Sequence, residues 1–456
     1  MSIREKPSNE EIAFLNARID RLPVWSLSSS VFFVMAVIWF AVGWDITNIG
    51  VSLLPMERAL HFTTNQSAIP VTANLLAYMI GAYSLGTLSD YFGRRIAITV
   101  TIILLIVGAI LCVFSWDLAS LTVFRFISGL GMGALLSLAT AFTTEFSPAK
   151  QRGRNIALNV IWLGLGLAAP MFLMLFLLNI SGGWRIIFLV GAIPIVTLPF
   201  LRDRWFPESP RWLVIHGHGE RAEAIVNRME HTAQQKTGED LPPVPSVPTE
   251  LAVSQFPTKT LFGKKFIVRT ITIFFFWLLW YVWIYAFLIY EPTLLSKMGI
   301  ALPSGLLFTG LSYLAFPIGA LISASFADKI QRKYTIGGST LILVAGLVVL
   351  ATSSSPIITI VGSSIVAMAY FSALGQALVY TAEIFPTRAR ASALSVGDGW
   401  GHLGGAIQPF IVLAILASAG AASVFWFMAG VAFVCLLIIL LLGIRTKGEG
   451  LTELAS

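Results

Sequence analysis

The sequence predicts an all-α membrane protein with twelve transmembrane helices in two related halves of six. Three observations predict it. Apolar runs of spanning length recur twelve times, two separate charged motifs repeat at one offset, and basic residues collect in alternate connections. Composition agrees: of 456 residues, 56% are hydrophobic and 12% charged, where a soluble domain carries about 25% charge.

A membrane core of about 30 Å takes about 20 helical residues to cross. Runs of that length read as 29–54, 68–88, 96–116, 118–141, 155–180 and 184–202, then 269–292, 303–326, 335–353, 357–381, 390–417 and 421–443. They divide the chain into an N-terminal segment 1–28, a first half 29–202, a central loop 203–268, a second half 269–443 and a tail 444–456. The N-terminal segment is polar and has no short apolar core, so no cleavable signal peptide is expected. The central loop holds the Pro-rich run LPPVPSVP, and its segment GERAEAIVNRMEHTAQQ reads as an amphipathic helix.

Of the 30 Lys and Arg, only Arg58, Arg185 and Lys297 fall in the other set of connections, and Arg125 lies inside a span. That asymmetry places both termini and the central loop in the cytoplasm. The net charge of +7 is thereby a topology signal, and nucleic acid is not an expected partner. Cys112 and Cys435 sit in apolar runs far apart and read as packing residues.

The halves repeat at a constant offset of 238 residues. LGTLSDYFGRR aligns with SASFADKIQRK, matching Asp90 to Asp328, Arg94 to Arg332 and Arg95 to Lys333. TTEFSPAKQR aligns with TAEIFPTRAR, matching Glu145 to Glu383 and Arg152 to Arg390, and Trp162 falls on Trp400. A parallel repeat of six helices is a transporter layout with its substrate site at mid-membrane between the halves.

These motifs also carry a resemblance. DYFGRR after the second span, RFISGLGMG in the fourth, EFSPAKQRGR after it, PESPRWL after the sixth and EIFPTRAR after the tenth resemble the sugar (and other) transporter branch of the major facilitator superfamily. The resemblance covers nearly the whole chain. It implies a multi-pass transporter of the plasma membrane, not an enzyme, that exchanges access between the two faces. Within the branch the chain looks most like niacin, aromatic-acid and organic-ion proton symporters.

Asp45 is the only charge in VFFVMAVIWFAVGWDITNIGVSLLP. Such a residue costs roughly 2.5–3.5 kcal/mol at a helix centre, so it has a partner or a task. Counted from Val31 at 1.5 Å per residue, Asp45 lies about 9 Å below the outer boundary. Arg125, about six residues into the descending fourth span, lies at the same level. The two are expected to pair. The resemblance implies that this aspartate carries the coupling proton with the arginine beside it. Arginine keeps its proton, so Asp45 is the titrating member. The alternative is a static ion pair holding the first and fourth spans together.

Asp90 with Arg94 and Arg95, Glu145 with Arg152 and Arg154, Glu208 with Arg211, and Glu383 with Arg388 and Arg390 all lie at inner helix ends, as do Asp328 and Arg332 of the second copy. The resemblance implies ion-pair clamps that shut the inner gate. The alternative is a set of solvated anchors, each contributing little. Gly93 becomes Gln331 in the second copy, which is expected to loosen that clamp.

In the seventh span, FFFWLLWYVWIYAFLIYEP, Trp277, Tyr281 and Tyr285 share one face. Tyr281 and Tyr285 are expected to face substrate. Sugar symporters carry glutamines and asparagines there; this span has none, which points away from a sugar. In GDGWGHLGGAIQPF of the eleventh span, Asp398 and His402 are four residues apart on one face. His402 either holds a carboxylate or relays a proton, or it packs against Asp398. Asn48, Asn159, Trp162, Gln376 and Trp400 complete the expected substrate-binding set.

There is no GxxxxGK[ST] motif and no metal-ligand spacing among five histidines and two cysteines, so neither cofactor nor metal is expected. The reading is a proton-coupled secondary transporter, working as a monomer in the bilayer, whose partners are a small organic solute and protons. An aromatic or carboxylate-bearing metabolite is favoured. The alternatives are a sugar–proton symporter, an organic-cation carrier and a transporter-like receptor.

Overall fold

The computed structural model describes residues 9–148, 151–245, 261–326, 330–353, 355–385 and 393–445. Among them there is no strand, and twelve helical segments are long and apolar enough to cross a membrane. A short helix, α1 (Asn9–Asp20), comes first. The next spans are α2 (Ser29–Leu60), α3 (Ala68–Phe92), α4 (Arg94–Val113), α5 (Leu118–Phe146) and α6 (Arg152–Leu177). The sixth joins α7 (Gly183–Val190) to a 3-10 stretch, Ile193–Leu201. Two short helices follow, α8 (Pro210–Ile215) and α9 (Gly219–Thr237), the latter on the segment read as amphipathic.

The second set opens with α10 (Ile267–Lys297). The eighth span is broken into α11 (Leu302–Tyr313) and α12 (Phe316–Phe326). Pro317 explains the break, because it cannot donate to the carbonyl of Tyr313. Then come α13 (Arg332–Thr352), α14 (Pro356–Glu383), α15 (Trp400–Ala419) and α16 (Ala421–Leu437). A π turn, Ser395–Gly399, precedes α15. The 238-residue offset holds in space: Ser29, Arg94 and Leu118 open their helices where Ile267, Arg332 and Pro356 open theirs.

Termini are cut by local chemistry. Asp117 caps α5 by accepting from the Ser120 amide at 2.8 Å. Gly420, at φ 83°, makes the tight turn between α15 and α16. Helices then approach through small residues, as lipid-embedded bundles do. A Cβ on Gly50 of α2 would sit 2.2 Å from the Ile289 carbonyl oxygen of α10, so the two halves touch backbone to backbone there.

The contacts that join the halves lie at mid-depth or toward the end away from the basic connections. Thr72 of α3 donates to the Ala406 carbonyl of α15 at 2.7 Å. Gly310 of α11 meets Met171 and Phe172 of α6. At the basic end, Arg94 bonds Asp90 and Glu145 and Arg332 bonds Gln376 and Glu383, each within its own half.

Residues 9–20, expected to belong to a polar terminal segment, instead form a helix docked on α9. Arg18 Nη2 and Arg21 Nη2 each lie 2.6 Å from the Glu230 carboxylate. Burial pushes the Glu230 carboxyl up, but the two guanidinium groups outweigh it and hold it below the usual range.

Candidate functional site

The charged site is built where α2 crosses α5. Asp45 and Arg125 are 2% and 1% exposed. Arg125 Nη1 donates to Asp45 Oδ1 at 2.9 Å and to Asn48 Oδ1 at 3.2 Å. Asn48 Nδ2 donates to the same carboxylate oxygen at 3.2 Å. Asn74 of α3 fixes the arginine's helix by donating to the Arg125 carbonyl and to Ser128 Oγ. The satisfaction is incomplete: Asp45 Oδ2 and Arg125 Nε are buried without a hydrogen-bond partner among the described residues. A desolvated pair with an orphan on each member is strongly bound but poorly solvated, so losing either member is costly. Asn48, expected to touch solute, is spent on the pair.

The aromatic site is built by α10 and α15, with one ring from α3. The π turn places Asp398 and His402 together, and the Tyr281 hydroxyl donates to the Asp398 carboxylate. His402 does not bond that carboxylate. Its Nδ1 lies 2.8 Å from the Asp398 backbone carbonyl. The imidazole is held between two phenols from opposite halves: Tyr78 stacks at 4.2 Å and Tyr281 lies at 3.9 Å, centroid to centroid. Tyr285 stacks on Tyr281 at 5.5 Å. It lies within electrostatic reach of both Asp45 and Asp398, so the charged and aromatic sites are neighbours. Gly405 makes room, since a Cβ there would press on the Tyr285 ring at 2.6 Å.

Four expected substrate residues stand elsewhere. Asn159 donates to Thr143 Oγ1 at 3.2 Å, tying α6 to α5. Gln376 is consumed at the basic end, accepting from Arg332 at 3.0 Å and donating to Ser323 Oγ at 2.9 Å. The repeat mates Trp162 and Trp400 point outward. Trp162 shares an exposed stripe with Leu158 and Phe176 of α6, and Trp400 one with Ile407 and Phe410 of α15. Apolar stripes of this kind face lipid, as membrane tryptophans commonly do. Tyr78, a polar residue of the cavity-facing second span left outside the expected substrate-binding set, joins the site because α3 packs against α15.

At the basic end the first-half set is dense. Arg94 lies 2.7 Å from Asp90 and 3.4 Å from Glu145, and it donates to Ser89. Arg95 pairs with Asp203 at 3.1 Å. Glu208 is corrected: it accepts the backbone amides of Arg94 at 2.7 Å and Arg95 at 3.2 Å, not Arg211, which is exposed. Burial raises the Glu208 carboxyl, and those amides at the helix N-terminus pull it back down in part. Gly93, at φ 98°, lets the carboxylate approach; a Cβ would lie 2.3 Å from its Oε2. In the second half, Arg332 lies 3.3 Å from Glu383. Asp328, Arg388 and Arg390 lie outside the described residues, as does the side chain of Arg152.

Against known proteins, the family model described as Sugar (and other) transporter matches residues 31–456. The chain belongs to that family. It is 27% identical to the inner membrane metabolite transport protein YdjE of Escherichia coli K12, covering 98% of this chain and 99% of that one. It is 24% identical to the niacin transporter NiaP of Acinetobacter baylyi, covering 96% and 99%. Its fold matches the partially occluded inward-open xylose transporter XylE of E. coli with a TM-score of 0.74 at 20% identity, over 93% and 100% of the two chains. The protein is thus a twelve-span transporter of the cell membrane.

Proposed function

We propose that the transporter is a proton-coupled secondary carrier of a small organic metabolite, aromatic or carboxylate-bearing, that rocks two six-helix halves about a mid-membrane site. The observation that carries the coupling is the buried Asp45–Arg125 pair. While the pair is closed, each charge compensates the other. When α2 and α5 move apart, an isolated carboxylate in apolar surroundings is too costly, and Asp45 takes a proton because Arg125 cannot give one up. The basic end is taken as cytoplasmic by its charge asymmetry. The ion pairs of Arg94 and Arg332 there serve as the inner gate.

Tyr281 and Tyr285 supply flat faces, and His402 and Asp398 supply polar edges, for a small planar solute. The niacin relative supports such a cargo. A hydroxyl-rich sugar is disfavoured because α10 offers no side-chain amide to the site. One observation favours a second reading, an organic cation: Asp398 has no ion-pair partner among the described residues, and aromatic rings surround it.

Uptake into proteoliposomes across an imposed pH gradient, with competing nicotinate, hexose or quaternary ammonium, separates these readings. Proton-driven accumulation blocked by nicotinate is expected. Blocking by the ammonium instead favours the cation carrier, and by hexose the sugar symporter. Binding without accumulation makes the protein a receptor.

A further inference from the structure

Glu291 of α10 is 0% exposed, inside a span, and takes no part in the sites above. Its Oε1 accepts the hydroxyl of Ser363 on α14. The Tyr313 hydroxyl of α11 is also in reach of the carboxyl, and it donates to the Phe287 carbonyl at 3.3 Å. Glu291 Oε2 is buried with no hydrogen-bond partner among the described residues. The groups facing the carboxyl are therefore a serine hydroxyl from α14 and a phenol from α11. On α10 itself, Tyr290 turns toward Ser67, and Lys297 is exposed at the helix end, toward Glu57 of α2. No cation among the described residues pairs with Glu291.

The repeat makes this arrangement informative. At an offset of 238, α10 is the counterpart of α2, α14 is the counterpart of α5, and Ser363 stands where Arg125 stands. The acid itself is not at the repeat position, since Asp45 matches Trp283 and Glu291 matches Leu53. But the second half also holds an acid between the equivalent two helices, and the partner at the Arg125 position is a hydroxyl. An ionised carboxylate buried without a cation is far more costly than a neutral carboxylic acid, even one with a hydrogen bond to only one of its oxygens. Pro292 follows directly and removes a helix hydrogen bond, leaving a natural bending point. Two residues earlier, Ile289 closes on Gly50 of the other half.

We propose that Glu291 is a second proton-binding site of the transporter, whose neutral carboxyl pins the Lys297 end of α10 to α11 and α14 and so keeps that end of the molecule closed. Loss of the proton creates a charge that must reach water, and α10 bends at Pro292 away from Gly50. The inference uses the transport reading only in taking the Lys297 end as external.

The test is labelling of a Thr72→Cys reporter by a membrane-impermeant maleimide applied from outside, as external pH is varied. Thr72 is half-buried with its hydroxyl bonded to the Ala406 carbonyl across the two halves, and Cys112 and Cys435 are buried. Labelling, divided at each pH by that of a permanently exposed single-cysteine reporter to remove the thiolate's own pH dependence, should rise with pH, at most about tenfold per pH unit for one proton. Glu291→Gln should hold it low and flat, and Ser363→Ala should raise it severalfold while keeping the pH dependence. The rise should survive in an Asp45→Asn background. A Glu291→Gln protein that keeps the native pH response, or a response that vanishes with Asp45→Asn instead, overturns the proposal. Because labelling reads opening and not accumulation, the coupling role of Asp45 stands or falls separately.

Discussion

In the first half the fourth span gives Arg125 to Asp45 of the first; in the second half the equivalent spans join Ser363 to Glu291. Both are buried carboxyls held between the same two helices, yet one is compensated by a full charge and the other by a hydroxyl. The basic ends differ in the partners seen among the described residues. Arg94 has two carboxylates, a serine and a glycine turn that admits Glu208, while Arg332 has Glu383 and the Gln376 amide. The fold is doubled, but among the described residues the buried cation stands in the first half and most of the aromatic cluster in the second. Coupling and recognition can then sit side by side, each with its own helices.

The sharpest way to break this comparison is to remove the hydrogen-bond donors. Arg125→Ala leaves Asp45 buried and uncompensated, and should lower stability by about 3–5 kcal/mol. Ser363→Ala leaves a neutral acid short of one hydrogen bond, and should cost about 1–3 kcal/mol. Thermal unfolding of the purified proteins measures both, and equal losses would mean that both acids are held alike.

A smaller difference is expected at the glycine turn. Gly93→Ala forces a side chain into φ 98° and against Glu208, costing at least about 1–2 kcal/mol for the backbone alone. Its repeat mate Gln331 has φ −58°, so Gln331→Gly should change stability by under about 1 kcal/mol. Melting temperatures and cysteine accessibility from the basic side report the contrast.

The smallest effects concern recognition. Tyr281→Ala and Tyr285→Ala should raise KM severalfold, since ring stacking contributes about 0.5–1.5 kcal/mol beyond area. Trp162→Leu and Trp400→Leu, on the outward stripes, should leave transport unchanged. An uptake series that reversed this order would return the tryptophans to the solute path.

What the sequence revealed followed from long-period physics. Span length, the basic asymmetry and the 238-residue repeat are carried by many residues at once, so helix starts agree to within three positions except in the eleventh span, read from 390, where α15 opens at Trp400 after the π turn. The level of Asp45 and Arg125 could be counted because a helix rises uniformly. Helix rotation was less legible: Trp162 and Trp400 fall outward because glycines on other faces of α6 and α15 set the packing. Neither the docking of α1 on α9 nor the turning of Glu208 to backbone amides leaves a periodic trace. Glu291 was visible as a letter, but its lack of a cation appears only once α14 lies beside it.

The most direct test of the central claim is accumulation of solute by Asp45→Asn protein in proteoliposomes with an inward proton gradient. The amide keeps the shape of the site but cannot titrate, so uphill accumulation should be abolished while solute binding, followed by thermal stabilisation of the same preparation, persists. Full proton-driven accumulation by folded Asp45→Asn protein would contradict the coupling role and leave the Asp45–Arg125 pair as a structural tie between α2 and α5.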